Sequence, residues 1–514
     1  FGGWAGVVAA SGDNTIDNGA LIQSRNKAAI ESRGGSVVTR NRSHTLGNRT
    51  NDGRIIGGTV GTQQIAYQDI GSTQDLIVNS SVIEGDVLMG EGSDTFLYTG
   101  ATNGVTGRID GGDGTTDAYG VSVSASKTVV FDNTLNNGAT ILGFEMHGVE
   151  LNGSNLSVTL EGAGGAILND GVKVLGTGKV TNNARINDDD GYGIFVEHYA
   201  QLNTAIDFAN SAEVRGDHAF WSNQGLTKFL NEEGGSFIGS SSGVLITHAY
   251  DGGKVLNFRN DGLISSSDSW DGIGALGLYM VDGEGATNQT LMATAHNSGT
   301  IRETYSSDDV TQRASRAVYL GGDVGKGRIE FDNRGSVQAL GAGGAGILVS
   351  GASSPNYQRH IVNAASGVIR ANAGGALGGQ NGRSFAYGIG ANGISNDSLI
   401  QIDNAGLIEA TGANSIAVAA IGVGDVDSAH FTLNNTGTIR GGDDTVVAEG
   451  EEVADTALKL QTVLGDEDEE RVVAGAVQTY RTTDVIRNGG TGKIIGSIDL
   501  GLGDDRLENY GSID

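Results

Sequence analysis

A short motif, Asn-x-Gly-x-(Ile/Val), recurs along this chain and constrains its fold more than any other feature. Each copy follows alternating apolar residues, and the copies begin at Asn51, Asn260, Asn297, Asn333, Asn404, Asn435 and Asn509. Looser forms begin at Asn18, Asn169, Asn183, Asn210, Asn231, Asn363 and Asn488. In the second half of the chain successive copies lie roughly 20–40 residues apart, which is the range of repeats that stack one per coil.

The stretch from 398 to 424 shows what one coil contains. Two alternating segments, Leu399–Ile402 and Ile416–Ile421, flank the motif at Asn404. Alternation with a period of two places one set of side chains inside the coil and the other outside. At a corner an Asn side chain can bond its own backbone, and Gly tolerates a left-handed or otherwise sharp turn. We therefore predict an all-β protein, a β-solenoid whose stacked Asn side chains form a hydrogen-bonded ladder.

The composition fits many thin strands around a narrow core. The 514 residues include 86 Gly and one Pro, and the glycines lack the three-residue period of collagen. Hydrophobic residues make up 38% of the chain. They occur in short runs, none of which approaches the roughly 20 apolar residues of a membrane helix, so no direct membrane insertion is expected.

Charge and cysteine content exclude several classes of function. The net charge of −29 argues against binding to nucleic acid or to an anionic membrane surface. The chain has no Cys, which excludes disulfides, thiolate metal sites and thiol nucleophiles. Together with abundant Gly, Asn, Thr and Asp, these features suit a secreted protein that its charge keeps soluble. The opening FGGWAGVV has no Met and no basic segment, which predicts a processed product or an internal piece.

The regularity of the motif divides the chain into five predicted segments. These are irregular N-terminal coils (1–80), Gly/Asp-rich coils (81–175), regular Asn-x-Gly coils (176–440), an acidic insertion (441–475) and C-terminal coils that repeat the pattern of 81–98 (476–514). Within the acidic insertion, Val453, Ala457, Leu460 and Val463 recur at helical spacing. This spacing predicts one short helix.

Insertions of different length separate the two strands of several coils, at 265–272, 303–315, 372–384 and 441–471. All fall in the same slot of the repeat, so they would project from one corner and build one face. Long loops on a rigid scaffold often carry function. We therefore predict a binding face with aromatic residues that can stack on sugar rings and charged residues beside them. Its members are Trp270, Asp271, Tyr305, Asp308, Asp309 and Arg313.

Two Gly/Asp-rich stretches match each other. Gly85–Asp94 and Gly496–Asp505 share glycine spacing, apolar positions and the final Asp. Their cores, GEGSDTF and GLGDDRL, are similar to calcium-binding nonapeptide repeats, in which carbonyl and Asp oxygens enclose the ion. With the nearby GGDGTTD turn, the candidate ligands are Asp94, Asp113, Asp117, Asp504 and Asp505. The alternative is simple Gly/Asp turns, because tandem copies at nine-residue spacing are missing. No other cofactor is expected.

No residue is predicted to be catalytic. Gly239–Gly243 fits the G-x-S-x-G pattern, but that elbow needs a helix after the Ser, and the VLITHAY that follows is typical of a strand. The eight His are scattered without the spacing of a metal site. The carboxylates are so abundant that sequence does not single out an acid/base pair.

The Asn-x-Gly-x-Ile coils, the paired stretches GDVLMGEGSDTF and GSIDLGLGDDRL, and the segment TILGFEMHGVELNG together resemble passenger regions of bacterial autotransporters. These are the type V secreted surface proteins of Gram-negative bacteria. The resemblance covers most of the chain. It implies a right-handed parallel β-helix that is exported across the outer membrane and displayed on the cell surface.

The same resemblance implies an extracellular, non-catalytic protein with an adhesive or cell-surface structural role. Its partner would be a cell-surface or matrix ligand, such as a glycan, or a second copy of itself in a homo-oligomer. Two alternatives stay open. One is a polysaccharide-degrading enzyme, which predicts carboxylates with a Lys or Arg on one outward strand face of adjacent coils. The other is a self-assembling surface-layer or filament subunit.

Overall fold

The structure of the chain is a computed structural model, and its regular structure is almost entirely β-strand. The described residues are 6–46, 49–137, 139–189, 191–199, 204–249, 255–267, 274–281, 291–304, 316–321, 327–341, 344–350, 357–372, 386–394, 398–411, 415–422, 430–442, 446–447, 471–472, 475–480, 482–501 and 503–514. Their one helical element is a short 3-10 turn, Ala163–Gly165. Within these residues we find no helix long and apolar enough to cross a membrane.

Contacts divide the chain into two units, Phe1–Asp207 and Phe208–Asp514. The predicted boundary between Gly/Asp-rich and regular coils, at 175/176, lies upstream of this division. The strands up to the division are β1 (Val7–Ala9), β2 (Asn14–Asn18), β3 (Leu21–Gln23), β4 (Ile30–Ser32), β5 (Val37–Asn41), β6 (His44–Leu46), β7 (Arg49–Asn51), β8 (Arg54–Ile56), β9 (Gly58–Val60), β10 (Gln63–Asp69), β11 (Leu76–Asn79), β12 (Val82–Glu84), β13 (Asp86–Leu88), β14 (Thr95–Tyr98), β15 (Ile109–Asp110), β16 (Ala118–Val123), β17 (Lys127–Phe131), β18 (Ile141–Leu142), β19 (Met146–Gly162), β20 (Gly171–Asn182), β21 (Ile186–Asn187), β22 (Tyr192–Glu197) and β23 (Ala205–Asn210), which spans it.

The first unit is a three-sided parallel coil. Its first face stacks β1, β4, β10, β13, β15 and β18. Its second face stacks β2, β5, β11, β14, β16, β19 and β20, and its third stacks β3, β8 and β12. All of these pairs are parallel. Apolar side chains from the three faces, such as Ile30, Phe96 and Ile55, meet in one buried cluster.

The strands that follow the division are β24 (Glu213–Asn223), β25 (Leu226–Asn231), β26 (Ser236–Ala249), β27 (Leu256–Asn260), β28 (Leu263–Ser266), β29 (Leu276–Val281), β30 (Leu291–Asn297), β31 (Thr300–Glu303), β32 (Arg316–Gly321), β33 (Gly327–Asn333), β34 (Ser336–Ala339), β35 (Ala345–Ser350), β36 (Tyr357–Asn363), β37 (Val368–Asn372), β38 (Ala386–Ile394), β39 (Leu399–Asn404), β40 (Leu407–Thr411), β41 (Ser415–Gly422), β42 (His430–Asn435), β43 (Thr438–Arg440), β44 (Val446–Val447), β45 (Arg471–Val472), β46 (Gly475–Tyr480), β47 (Thr483–Asn488), β48 (Lys493–Ile495), β49 (Ile498–Asp499), β50 (Arg506–Asn509) and β51 (Ser512–Ile513).

The second unit is also a three-sided parallel coil, and it is more regular. Face A stacks β25, β27, β30, β33, β36, β39, β42, β47 and β50. Face B stacks the first part of β26 with β28, β31, β34, β37, β40, β43, β48 and β51. Face C stacks the second part of β26 with β29, β32, β35, β38, β41, β46 and β49. The predicted all-β parallel β-helix is therefore confirmed.

A ladder of asparagine side chains runs along the corner between faces A and B. Each Nδ2 donates to the Oδ1 of the Asn in the next coil at 2.8–3.1 Å. Its members are Asn210, Asn231, Asn260, Asn297, Asn333, Asn363, Asn404, Asn435, Asn488 and Asn509. All but the last are buried. The predicted Asn ladder is confirmed for this unit.

The glycine of the motif is required by close packing rather than by a left-handed backbone. A Cβ on Gly299 would lie 2.1 Å from the carbonyl oxygen of Gly262, and one on Gly335 would lie 2.1 Å from that of Gly299. None of these glycines has a positive φ. Of the two reasons considered for Gly at the corner, a left-handed backbone does not apply to these residues, and the stacked coils leave no room for a side chain at this position.

In the first unit three copies of the motif do not mark a buried corner residue. The side chains of Asn18, Asn41 and Asn79 form a ladder there, with bonds of 2.9 and 2.8 Å. Asn51, which was predicted to be a corner residue, instead lies in an antiparallel hairpin of β6 and β7. Asn183 is exposed, whereas its neighbour Asn182 is fully buried. Asn169 is also exposed and is not a buried corner residue.

The interior of the second unit is apolar. Its first coils hold a cluster of buried aromatic rings, with centroids 4.8–6.4 Å apart: Phe208, Phe220, Phe229, Phe237 and Phe258. The Ile or Val that ends each motif forms a fully buried column on face B, from Ile264 to Ile494. This column explains why the fifth position of the motif is β-branched and apolar.

The predicted insertions lie mostly outside the described residues, as does the predicted helix at 453–463. The strands that flank the insertions are described, and each insertion joins a face B strand to a face C strand of the same coil, as between β31 and β32. Gaps between described strands also occur where face C returns to face A, at 282–290 and 423–429. The connections between strands therefore vary in length at two corners, while the connection at the Asn corner stays constant apart from short extensions.

We expect Asn333→Ala to destabilise the chain by about 2–4 kcal/mol, because each buried polar group left unsatisfied costs about 1–3 kcal/mol. Asn333 accepts from Asn297 and donates to Asn363 and to the carbonyl of Val368. The measurement is chemical denaturation followed by circular dichroism. Asn257→Ala, at an exposed position of face A, is the matched control. Equal effects of the two substitutions would contradict a stabilising ladder.

Candidate functional site

Four acidic side chains form a second ladder in the first unit, here called the carboxylate ladder (Asp75, Asp94, Asp117 and Glu145). The Oδ1 of Asp75 accepts from the backbone N–H of Val37 at 2.8 Å. In the same way Asp94 accepts from the N–H of Asp75, Asp117 from that of Asp94, and Glu145 from that of Asp117, at 2.7–2.9 Å. Each acid immediately precedes a strand of the second face. The carboxylate ladder therefore ties each coil to the next at this corner.

Burial strongly favours the neutral form of these carboxyl groups. Asp75, Asp94 and Asp117 have no exposed surface. Desolvation raises the pKa of Asp75 to about 7, of Asp94 to about 10 and of Asp117 to about 6, and it raises the pKa of Glu145 to about 7. The hydroxyl of Tyr67 also donates to Asp75 at 2.5 Å. The ladder is therefore a set of acids of which a substantial part stays protonated near neutral pH.

The two matching Gly/Asp stretches have the same local structure. Gly92 and Gly503 have φ values of 145° and 153°, and a Cβ on either would lie within 2.4 Å of the carbonyl oxygen of a threonine in the preceding coil. At the end of the second stretch, Asp505 accepts from the N–H of Asp484 at 3.1 Å, as Asp94 does from Asp75. The match seen in the sequence thus reflects a shared corner that repeats the carboxylate contact.

The predicted metal ligands do not converge on one point. Asp94 and Asp117 are buried in the carboxylate ladder, whereas Asp113 is exposed in a turn. Asp504 is exposed, and the side chain of Asp505 accepts a hydrogen bond from the backbone N–H of Asp484. Among the described residues no three His, Asp or Glu side chains are placed to hold a metal ion. Calcium binding stays a prediction that rests on the sequence pattern.

All six members of the predicted binding face lie outside the described residues. Trp270 and Asp271 belong to the connection between β28 and β29. Tyr305, Asp308 and Asp309, and with them Arg313, belong to the connection between β31 and β32. The binding face also stays a prediction.

Face B of the second unit carries a charged cluster that the sequence analysis did not identify. Glu409, which is nearly buried, accepts from Arg370 at 2.9 Å and from Arg440 at 3.2 Å. The three residues come from adjacent coils and line a depression of about 460 Å³. Superimposing the motif copies at Asn404 and Asn435 places Glu409 directly beside Arg440, so the sequence did contain a signal for part of this cluster.

Face A carries a shallow depression of about 440 Å³. Lys228, Asn257, Thr294 and His296 line it, and Arg259 lies beside them in an ion pair with Asp261 at 2.7 Å. These are outward positions of successive coils, so their side chains form rows along the stack. Such rows of polar groups can bind an extended ligand across several coils.

A third cluster joins β24 and β26. The Nδ1 of His218 lies 2.7 Å from the hydroxyl of Ser242, and its Nε2 lies 3.8 Å from Asp217. Ser240 and Ser241 donate to Asp217. Ser242 is fully buried, so its hydroxyl is not presented to a substrate. The G-x-S-x-G pattern, whose central serine is Ser241, lies within the continuous strand β26, so a strand and not a helix follows it, as predicted. The cluster joins adjacent coils through polar contacts.

Comparisons with known proteins gave no match. A scan against protein-family models, a search of curated proteins and a search of solved structures each found nothing similar to this chain. The fold is therefore established by the structure itself.

The first unit should become less stable to unfolding as the pH rises. The acids of the carboxylate ladder hold protons more tightly when folded than when unfolded, so their contribution is full below about pH 4 and is lost as pH rises toward 7. We expect a lower thermal midpoint at pH 8 than at pH 5, measured by circular dichroism. For Asp75 alone the loss is about 2–3 kcal/mol, since one pKa unit corresponds to about 1.4 kcal/mol.

Asp75→Asn supplies the matched variant for this measurement. The amide oxygen can still accept from Val37, and the amide nitrogen can donate to the oxygen of Tyr67, but the side chain no longer titrates. We expect a smaller difference between the two pH values in this variant. An unchanged difference would show that Asp75 does not contribute to the pH dependence.

Proposed function

We propose that this chain is an extracellular bacterial surface β-solenoid with an adhesive or cell-surface structural role, and that it is not an enzyme. The observation that carries the proposal is the Asn ladder, which holds the coils of the second unit in strict register. At about 4.8 Å per coil, such a stack presents fixed rows of outward side chains over tens of ångströms. A rigid scaffold of this kind suits the display of a binding surface.

The outward groups support binding rather than chemistry. On face A, hydrogen bonds link His296 with Asp332 and His360 with Asp403 across adjacent coils. On face B, Glu409 is held between two arginines, which neutralise its charge. We propose that the partner is a cell-surface or matrix ligand, including a glycan, or a second copy of the chain. The autotransporter resemblance of the sequence is consistent with this location and role.

The proposal is tested by adhesion of beads coated with the full chain to cultured cells, immobilised matrix proteins and a glycan array. We expect retention that free chain abolishes by competition, and albumin-coated beads are the control. Negative-stain imaging and sedimentation of the same sample test self-association, with calcium and then with a chelator. If the beads are not retained and the chain does not self-associate in any of these tests, the proposal is contradicted.

A polysaccharide-degrading enzyme is the second candidate, and the cluster of Arg370, Glu409 and Arg440 is the observation that favours it. It places one carboxylate between two basic groups on one outward face of adjacent coils, which is part of the arrangement predicted for this class. If the cluster is catalytic, the full chain releases reducing ends or unsaturated products from an acidic polysaccharide, and Glu409→Gln abolishes the release. Glu330→Gln, at an outward position on face A, is the control. Absence of product from a panel of acidic and neutral polysaccharides would exclude this candidate.

A further inference from the structure

An enclosed ion pair lies in the first unit, between β20 and β22. The Nζ of Lys173 is 3.0 Å from the Oε2 of Glu197, and the two side chains are 0% and 2% exposed. Lys173 pairs across the sheet with Phe195, and its Nζ lies 5.6 Å from the centre of that ring. A lysine and a glutamate from adjacent coils are therefore held in contact with no access to solvent.

The polar groups around the pair hold it in one arrangement. The hydroxyl of Ser93 lies 3.0 Å from the Nζ of Lys173 and donates to the Oε1 of Glu197 at 3.1 Å. Gln74 also donates to Oε1. By contrast Oε2 accepts no hydrogen bond of ordinary geometry, although it lies close to Nζ. The carboxyl group is thus anchored through one oxygen, while the other faces the amine.

The buried pair is incompletely hydrogen-bonded. Removing an ammonium and a carboxylate from water costs several kcal/mol per ion, and their attraction offsets the cost only where further hydrogen bonds satisfy both groups. In the neutral form the amine has a free lone pair, and the carboxylic acid carbon is electrophilic. Fixing two reactants in contact raises their effective concentration by orders of magnitude.

We propose that Lys173 and Glu197 form an intramolecular amide bond, a covalent cross-link between β20 and β22. A proton passes from the ammonium to the carboxylate, and the Nζ lone pair then attacks Cδ of Glu197. The new C–N bond forms, the C–OH bond breaks, and the hydroxyl leaves with a proton from nitrogen as water. The reaction needs no oxidant, reductant or other co-reactant.

In this proposal the carboxylate ladder relays the protons. Asp94 follows Ser93 in the chain, and its Oδ2 is buried without a hydrogen-bond partner. Asp94, Asp117 and Glu145 each interact electrostatically with Lys173, and burial raises the pKa of all three. A neutral carboxyl group can give a proton to the leaving hydroxyl and take one from nitrogen. The proposal does not depend on the proposed function.

The test is the intact mass of the full chain, measured under denaturing conditions in which a non-covalent pair cannot survive. We expect a mass lower than the sequence value by one water molecule. Tryptic mapping should show no cleavage after Lys173 and a branched peptide that joins Lys173 to Glu197. Lys173→Met/Glu197→Leu replaces the pair by apolar groups of similar volume, which preserves packing, and should have the full sequence mass.

Lys179→Met, at an exposed position of the same strand, is the matched control and should retain the deficit. An intact mass equal to the sequence value would overturn the proposal. A water loss that maps to an Asp-Gly sequence, or to another partner of Lys173, would also overturn it.

Discussion

The asparagine side chain at one corner of each coil is the interaction on which the second unit depends. An amide has a donor and an acceptor on the same group, so identical residues stacked at the coil spacing satisfy each other without a second residue type. A shift of one residue would turn the Asn outward and move the apolar column of Ile264, Ile301 and Val337 to the surface. The Asn ladder and the apolar column therefore select the same strand register. Any shifted register would lose both hydrogen bonds and buried apolar surface.

This arrangement explains how the chain tolerates insertions. Between β43 and β46 the chain runs through the longest predicted insertion, yet Asn435 and Asn488 still form a bond of 2.8 Å. Each coil re-establishes its register at the Asn corner, so a long connection elsewhere does not propagate an error to the next coil. Loop closure adds little cost as a loop lengthens, because its entropy grows only with the logarithm of length. Variation can therefore accumulate at the other corners.

The sequence predicted the fold because the ladder residues and the alternating strands have a local signature. It failed where the signature was incomplete. Asn41 is followed by Arg and Ser rather than by x-Gly, and the hairpin of β6 and β7 separates it from the Gly-containing copy at Asn51. At Asn182 and Asn183 the phase of the strand was the missing criterion, because buried Val180 places Asn182, two residues later, on the inner side.

The candidate sites were less predictable, because they depend on which coils are neighbours. Asp94 and Asp117 were identified from their Gly/Asp turns, but their contact with Asp75 and Glu145 requires the stacking order. No sequence motif contains both Lys173 and Glu197. Only the parallel pairing of β20 with β22 brings them together. The sequence did contain one signal for the carboxylate ladder, which is an acid immediately before each of four apolar strands. The stacking order of the coils was needed to show that these four acids form one row.

The Asn ladder and the carboxylate ladder thus hold the coils in register by the same principle with different chemistry. In the second unit a neutral amide bonds its copy in the next coil, and the bond is indifferent to pH. In the first unit a carboxyl group bonds the backbone N–H of the acid in the preceding coil, which leaves its second oxygen to be satisfied by Tyr67, by a proton or by nothing. A row of such acids without solvent cannot be fully ionised, since like charges in a low dielectric repel strongly. The register held by the carboxylate ladder is therefore coupled to proton binding, and the register held by an Asn ladder is not.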